Sequence, residues 1–350
     1  MKSAILPSLM KKALLYESKP HQSVQCHVCS NHCTILPSKR GVCGVRENHD
    51  GQLYVLVYGR AISEAVDPIE KKPFFHFIPG SKALSIATVG CNFRCDNCQN
   101  WQISQATKQS GYTDLTISGE ELPPEHVVAD ALSNECQSIA YTYTEPTIWM
   151  EYALDCMKLA KKNNIKNVWV SNGFMSEAAL ELIIPYLDAI NVDLKFFDDK
   201  HYRTVCGARL EPILKNLQIL KRAGVLIEIT TLSIPTLSDS EDMFKKMASW
   251  ISEKLGHDTP WHISAFSPEI SRALRHLPAT SVTTLEKAHA IGKKAGLSYV
   301  YTGNMPGLTS ENTYCPKCGT ICIERRGYSL QRHDQHGACP RCQTLLNITE

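Results

Sequence analysis

The chain has little net charge. Its 37 Lys and Arg nearly balance 35 Asp and Glu, leaving a formal charge of +2 over 350 residues. That excludes a polybasic coat for nucleic acid or membrane surfaces and leaves room only for a local patch. No apolar run approaches the roughly 20 residues of a bilayer span. The leading segment, MKSAILPSLMKKALLY, lacks a clean apolar block with a small-residue cleavage site, so no signal peptide is read and a cytoplasmic setting is expected. Internal repeats and low-complexity runs are missing too. With 43% hydrophobic and 21% charged residues, wholesale disorder is excluded. The length suits about two domains, or one α/β barrel of roughly 200–250 residues with extensions.

What the chain does have is cysteine. There are 15, an odd number, without a secretory signal, which does not resemble a disulfide framework. They are clumped: Cys26, Cys29, Cys33 and Cys43; Cys91, Cys95 and Cys98; Cys315, Cys318, Cys322, Cys339 and Cys342. Only Cys136, Cys156 and Cys206 stand alone, and these read as inert. Gaps of two and three residues are metal-ligand spacing, and a reducing compartment keeps such thiols available.

The clumps divide the chain into an expected N-terminal metal-binding segment (1–80), a central barrel (81–306) and a C-terminal tail (311–350). In the first, 52–59 reads as a strand and 71–80 (KKPFFHFIPG) as a connector. In the centre, apolar stretches at 84–89, 138–143, 167–170, 189–192, 225–230, 262–266 and 297–301 read as strands. Helical patterns lie between them at 125–136, 212–223, 239–255 and 281–295, the last three stopping at Gly224, Gly256 and Gly296. This alternation implies parallel strands covered by helices. The expected fold is α/β, a full or partial TIM-type (βα) barrel with cysteine-rich metal-binding extensions at both ends; an open doubly wound sheet is the alternative. In a parallel barrel the strand ends share one mouth. The polar residues Cys91, Glu145, Asn172, Asp193, Lys195 and His262 all fall on or after these strands, with Asn304 after the seventh.

The central triad, CNFRCDNC at 91–98, sits in one loop. A four-iron cluster is normally held by four thiolates, so three leave one iron open, the mark of a reactive site. A zinc site completed by a histidine such as His76 is the alternative, disfavoured because zinc sites prefer paired C-x2-C knuckles.

The triad resembles the signature of the radical SAM superfamily. Further segments are similar in the same order: YTYTEPT (141–147), VSNGF (170–174), NVDLK (191–195), EITTLSIPTLSDS (228–240), PWHISAFSP (260–268) and YTGNMPG (301–307). Together with CHVCSNHCTILPSKRGVCGVREN (26–48) and the tail, they resemble AmmeMemoRadiSam-system radical SAM enzymes, which are similar to pyruvate formate-lyase activating enzymes. The resemblance implies that Cys91, Cys95 and Cys98 hold a catalytic [4Fe–4S] cluster whose fourth iron binds S-adenosylmethionine (SAM), and that reductive cleavage yields a 5′-deoxyadenosyl radical. It implies that Glu145 accepts hydrogen bonds from the SAM amino group, that Asn172 and Gly173 line its ribose or carboxylate side, and that Asp193, Lys195 and His262 orient it. Two positions depart from the pattern. Asn97 stands where many members carry an aromatic residue, which leaves the adenine contact to Phe93 or backbone. Val170 stands where the activases carry an Asp that binds a monovalent cation.

The flanking groups read from spacing. Cys315-x2-Cys318 and Cys339-x2-Cys342, twenty residues apart, form a zinc-ribbon pattern, with iron as the alternative. Cys322 reads as a small core residue. Arg325, Arg326, Arg332, His333 and Arg341 make the tail locally basic, normally a solvated face. Cys26, Cys29, Cys33 and Cys43 can close one site; zinc and an auxiliary [4Fe–4S] cluster both fit, and His27 or His32 could replace a ligand.

The expected activity is therefore SAM-dependent hydrogen abstraction by an oxidoreductase, toward glycyl-radical activation or modification of a partner protein. Expected partners are a low-potential donor of flavodoxin or ferredoxin type and a protein substrate or AMMECR-type and Memo-type proteins. Membrane association is not expected, nor is nucleic acid. The alternatives are an RNA-modifying radical enzyme and a non-catalytic metal-binding adaptor.

Overall fold

The computed structural model describes residues 10–108 and 117–350; the first nine residues of the leading segment read above lie outside these. Eight strands form one sheet: β1 (Ser63–Pro68), β2 (Lys82–Ala87), β3 (Ser138–Tyr141), β4 (Lys166–Ser171), β5 (Ala189–Asp193), β6 (Leu226–Ser233), β7 (Trp261–Ala265) and β8 (Val300–Gly303). They lie side by side in chain order. β2 to β8 are parallel, and β1 runs antiparallel to β2 along the edge. All seven expected strands are present. Among the described residues β8 and β1 do not pair with each other, so the barrel is partial.

β3 (SIAY) is buried throughout, and β4 and β5 nearly so, as expected of parallel strands covered on both faces. The covering helices are α1 (Pro124–Ser133), α2 (Met150–Lys162), α3 (Glu177–Ile183), α4 (Glu211–Arg222), α5 (Glu241–Lys254) and α6 (Val282–Lys294). Ser176, Ser240 and Ser281 cap α3, α5 and α6 by accepting from the amides of Ala179, Met243 and Thr284.

The segment read as a connector does more than connect. Phe74 and Phe77 pack on Ala83, Ala140, Val168 and Ala189, near the starts of their strands, and so plug the barrel floor. Burying this backbone needs acceptors. Glu228 of β6 supplies them, taking the amides of Phe75 (2.9 Å) and His76 (2.8 Å). The tail is stitched to the same plug. Thr349 donates its amide to His76 O (2.8 Å), and its carbonyl accepts from the Ile78 amide (2.9 Å). The Arg325 guanidinium lies 4.0 Å from the centre of the Phe75 ring.

At the other end of the chain, Gln52–Val55 pairs with Arg46–His49 and with Lys11–Lys12. Cys26, Cys29 and Cys43 belong to the main hydrophobic core, whereas Cys315, Cys322, Cys339 and Leu346 form a separate small one.

Candidate metal and cofactor sites

The triad loop follows β2 and turns on Gly90, at φ +95°. A Cβ there would lie 2.8 Å from Cys43 O, so only glycine lets this loop touch the first cysteine segment. The loop is held by its own polar groups. Lys108 Nζ donates to the carbonyls of Cys91 (2.7 Å) and Phe93 (2.6 Å), and Arg272 Nε to that of Cys95 (3.2 Å). Phe93 N donates to Cys91 Sγ (3.4 Å), and Ser104 Oγ lies 3.2 Å from Cys98 Sγ. Burial pushes the Cys91 and Cys98 thiols up; at Cys95 the hydrogen bond its thiol donates to Cys206, then burial, does so. Buried thiols of this kind suit a cationic metal, which makes the thiolate favourable.

The expected residues at the mouth are partly brought together. Glu145 is buried and stitches β3's end to that of β4. Its Oε1 accepts from the amide (3.1 Å) and hydroxyl (2.6 Å) of Thr147 and from the Ser171 hydroxyl (2.9 Å). Among the described residues its Oε2 accepts only from the Asn172 amide (2.8 Å). Burial raises its pKa against these bonds. Asn172 Nδ2 reaches back to Asn92 Oδ1 in the triad loop (2.7 Å). Gly173 packs outward instead, where a Cβ would meet Val192 and Ile213 at about 3 Å. Asp193, the last residue of β5, pairs with Lys195 at 2.9 Å. Burial disfavours the Lys195 charge, but Asp193 and the sulfurs of Cys95 and Cys206 outweigh it and hold the pKa above its ordinary range. Asn97 Oδ1 is buried without a partner. Phe93 is buried edge-on against Phe174. Asn304 donates weakly to Ala265 O (3.4 Å).

His262 is not at the mouth. It is the second residue of β7, paired in register with Thr230 and Tyr301. Its Nε2 lies 2.6 Å from Glu228 Oε2, and its ring packs against Phe75 and Tyr301. These contacts hold it against the barrel floor. His76 is likewise committed, to Tyr301 Oη (2.7 Å) and Asn347 O (3.2 Å).

The tail cysteines bring their sulfurs together. Cys315 and Cys342 are 3.5 Å apart, Cys318 and Cys339 3.6 Å. A tetrahedral ion with metal–sulfur bonds of about 2.3 Å spaces its thiolates by roughly 3.8 Å. The Thr320 hydroxyl and amide pull the Cys318 thiol down to about 6. Cys322 is buried, as expected. The basic face is only partly committed: Arg325 is buried and Arg332 pairs with Asp334 and Glu350, whereas Arg326, beside Glu324, and Arg341 are exposed.

Cys26, Cys29, Cys33 and Cys43 line one small cavity with Arg46 and Asn92. Among the described residues only the tail quartet brings three or more ligand atoms within 4.8 Å of one another. The first quartet and the triad are both wider. His27 and His32 face each other outside this cavity, 3.3 Å apart. Cys206, Lys108, Arg46 and Glu228 were not legible as site residues. Arg46 and Glu228 fall inside the segments quoted above and Lys108 lies close to the triad, but nothing in the local sequence shows what each of the four touches.

Residues 85–251 match the family model of the radical SAM superfamily. An uncharacterized protein of Methanocaldococcus jannaschii is 42% identical over 316 residues, spanning 90% of this chain and 92% of its own. The chain belongs to the radical SAM superfamily. Within it, the chain is similar to the pyruvate formate-lyase-activating enzyme of Clostridium pasteurianum, 24% identical over 171 residues, 46% of this chain and 66% of that enzyme. A radical SAM methyltransferase from Sphaerobacter thermophilus superposes with a TM-score of 0.48 at 14% identity, over 70% of this chain and 71% of its own. Membership implies a [4Fe–4S] cluster and SAM. The wide triad of buried thiols fits such a cluster, and the uncapped Asn97 Oδ1 and singly bonded Glu145 Oε2 leave acceptors for a polar ligand. Among the described residues no helix is long and apolar enough to cross a membrane.

Proposed function

We propose that this chain abstracts a hydrogen atom from a partner protein, with a glycyl residue as the leading target, as the likeness to an activating enzyme suggests. One observation carries the reading: the triad loop is tied to Glu145 through Asn172 at the strand ends. When bound, the cluster and SAM would supply a 5′-deoxyadenosyl radical. Cys91, Cys95 and Cys98 would hold the cluster. Glu145 Oε2, with one protein donor, would accept from the SAM ammonium, a charge-assisted bond. Lys195, fixed by Asp193, would place its charge beside Cys95. The low-potential donor would be a flavodoxin or ferredoxin, and AMMECR-type and Memo-type proteins are the partners to try first, in a cytoplasmic setting. In the tail the sulfur spacing supports zinc. The pairing and burial of the tail arginines weigh against an RNA substrate.

The test is anaerobic reconstitution with iron and sulfide, then dithionite and SAM, assayed for 5′-deoxyadenosine. Formation by the parent and its loss in Cys95→Ala support the reading. Glu145→Gln should weaken SAM binding while keeping the iron. A fully loaded parent that never cleaves SAM sinks the enzymatic reading and brings the adaptor forward.

A further inference from the structure

The first quartet carries the inference. Arg46 and Asn92 both line its cavity and are both about 1% exposed. Among the described residues each keeps one buried donor without a partner, Arg46 Nη1 and Asn92 Nδ2. The rest of Arg46 is satisfied, with Nε donating to Ile148 O (2.9 Å) and Nη2 to Glu151 (2.5 Å). Two orphaned donors at one thiol-lined cavity call for an anionic acceptor inside it, because a buried donor left unmade costs about 1–3 kcal/mol. A lone tetrahedral ion would draw the sulfurs as close as those of the tail, and they are not so drawn. A cubane places each cysteine on a different iron, separates the sulfurs further, and presents sulfide and thiolate acceptors to such donors.

The cavity also abuts the triad. Asn31 Nδ2 donates to Asn92 O (3.1 Å), Thr107 Oγ1 donates to Cys43 O (3.0 Å), and Gly90 lies against the Cys43 carbonyl. Asn92 follows Cys91 directly and so borders both sites.

We propose that Cys26, Cys29, Cys33 and Cys43 hold a second, fully ligated [4Fe–4S] cluster, hydrogen-bonded by Arg46 and Asn92 and packed against the triad loop as an electron relay. It rests on the radical SAM reading of the triad. One electron from a low-potential one-electron donor reduces this cluster. The same electron then passes to the triad's cluster and returns the first to its oxidised level. All four ligands are protein thiolates, so no iron is open to substrate, and a redox role is the one left to it.

The test removes the other site, since Cys26, Cys29 and Cys43 belong to the main core and replacing them endangers the fold. Full-length C91A/C95A/C98A, purified anaerobically, is analysed for iron, sulfide and zinc and by electron paramagnetic resonance after dithionite. The proposal expects roughly four irons and four sulfides with one reduced-cluster signal in the variant, and roughly eight of each in the parent. It also expects a parent spectrum broadened by spin coupling between the two clusters. Zinc in place of iron in the variant overturns the second cluster, and a parent spectrum that is the plain sum of two isolated signals overturns the relay. Should the variant not fold, the parent's iron count, near eight or near four, decides. A four-iron parent that cleaves SAM defeats this proposal alone. An eight-iron parent that does not cleave SAM defeats the function proposed above and leaves the second cluster standing.

Discussion

Two groups of four cysteines sit at opposite ends of this chain, and they are built differently. The tail quartet closes to sulfur separations of 3.5 and 3.6 Å, has its own small core, and reaches the barrel through a few stitches. The first quartet is wider, shares the main core, and touches the loop of a third cysteine group. Identical ligands therefore do not mean identical tasks. A quartet with little core of its own is the kind that needs a metal to fold. A quartet inside a large core does not need one for stability, so the cluster proposed for it would be free to serve chemistry.

The largest test of this contrast is to remove sulfurs from the tail quartet. Structural zinc in small domains contributes an apparent 10–16 kcal/mol or so. In Cys318→Ser/Cys339→Ser, hydrogen exchange should therefore show lost amide protection across residues 313–349 while residues 24–55 stay protected. Equal loss in both regions would break the comparison. Next comes Arg46→Met, which leaves Glu151 as an unpaired buried charge and should cost about 3–5 kcal/mol in denaturant melts of the whole domain. A cost confined to the first 60 residues would show that the first quartet is not part of the main core.

Glu228→Gln should cost roughly 1–3 kcal/mol, since it weakens the bonds to Phe75, His76 and His262. It should also change the pH response. Burial favours protonation of Glu228, but the His262 hydrogen bond and the nearby His262 and His76 charges outweigh it, and the pKa falls below 4.5. The unfolded chain therefore binds this proton more readily. The stabilisation is present above pH 4.5 and is lost as pH falls through the lower folded value. Acid-side melts of the parent should slope more steeply than those of the variant. Gly90→Ala should cost about 1–3 kcal/mol through the left-handed backbone and the Cys43 contact, and should shift the spectrum of the first quartet's metal. Arg326→Ala, at an exposed tail pair, should stay within about 0.5 kcal/mol in melts.

The strands and helices were legible because their patterns are local: apolar runs of strand length, serine caps and terminal glycines. The triad and tail were legible from cysteine spacing. What stayed hidden was set by three-dimensional closure. The 71–80 segment gives no sign in its own letters that Glu228, about 150 residues on, would accept its amides. His262 looked like a mouth residue because a strand's sequence does not show how far along it the mouth lies. Arg325 looked like part of a solvated face because its aromatic partner, Phe75, is 250 residues away. Spacing alone could not tell zinc from a cluster at the first quartet; sulfur separation and the orphaned Arg46 and Asn92 donors are the grounds on which a cluster is proposed there.

The pairing of Phe77 with Thr349 spans nearly the whole chain. Such non-local contacts carry the highest loop-closure cost and form late in folding. Sealing of the barrel floor is thus tied to ordering of the tail. Should the tail quartet take the zinc proposed for it, scarcity of that metal should leave the protein as a slowly maturing species, its sheet formed and the aromatic plug loosely seated. Metal supply during expression would then set the rate at which finished molecules appear more than their final stability.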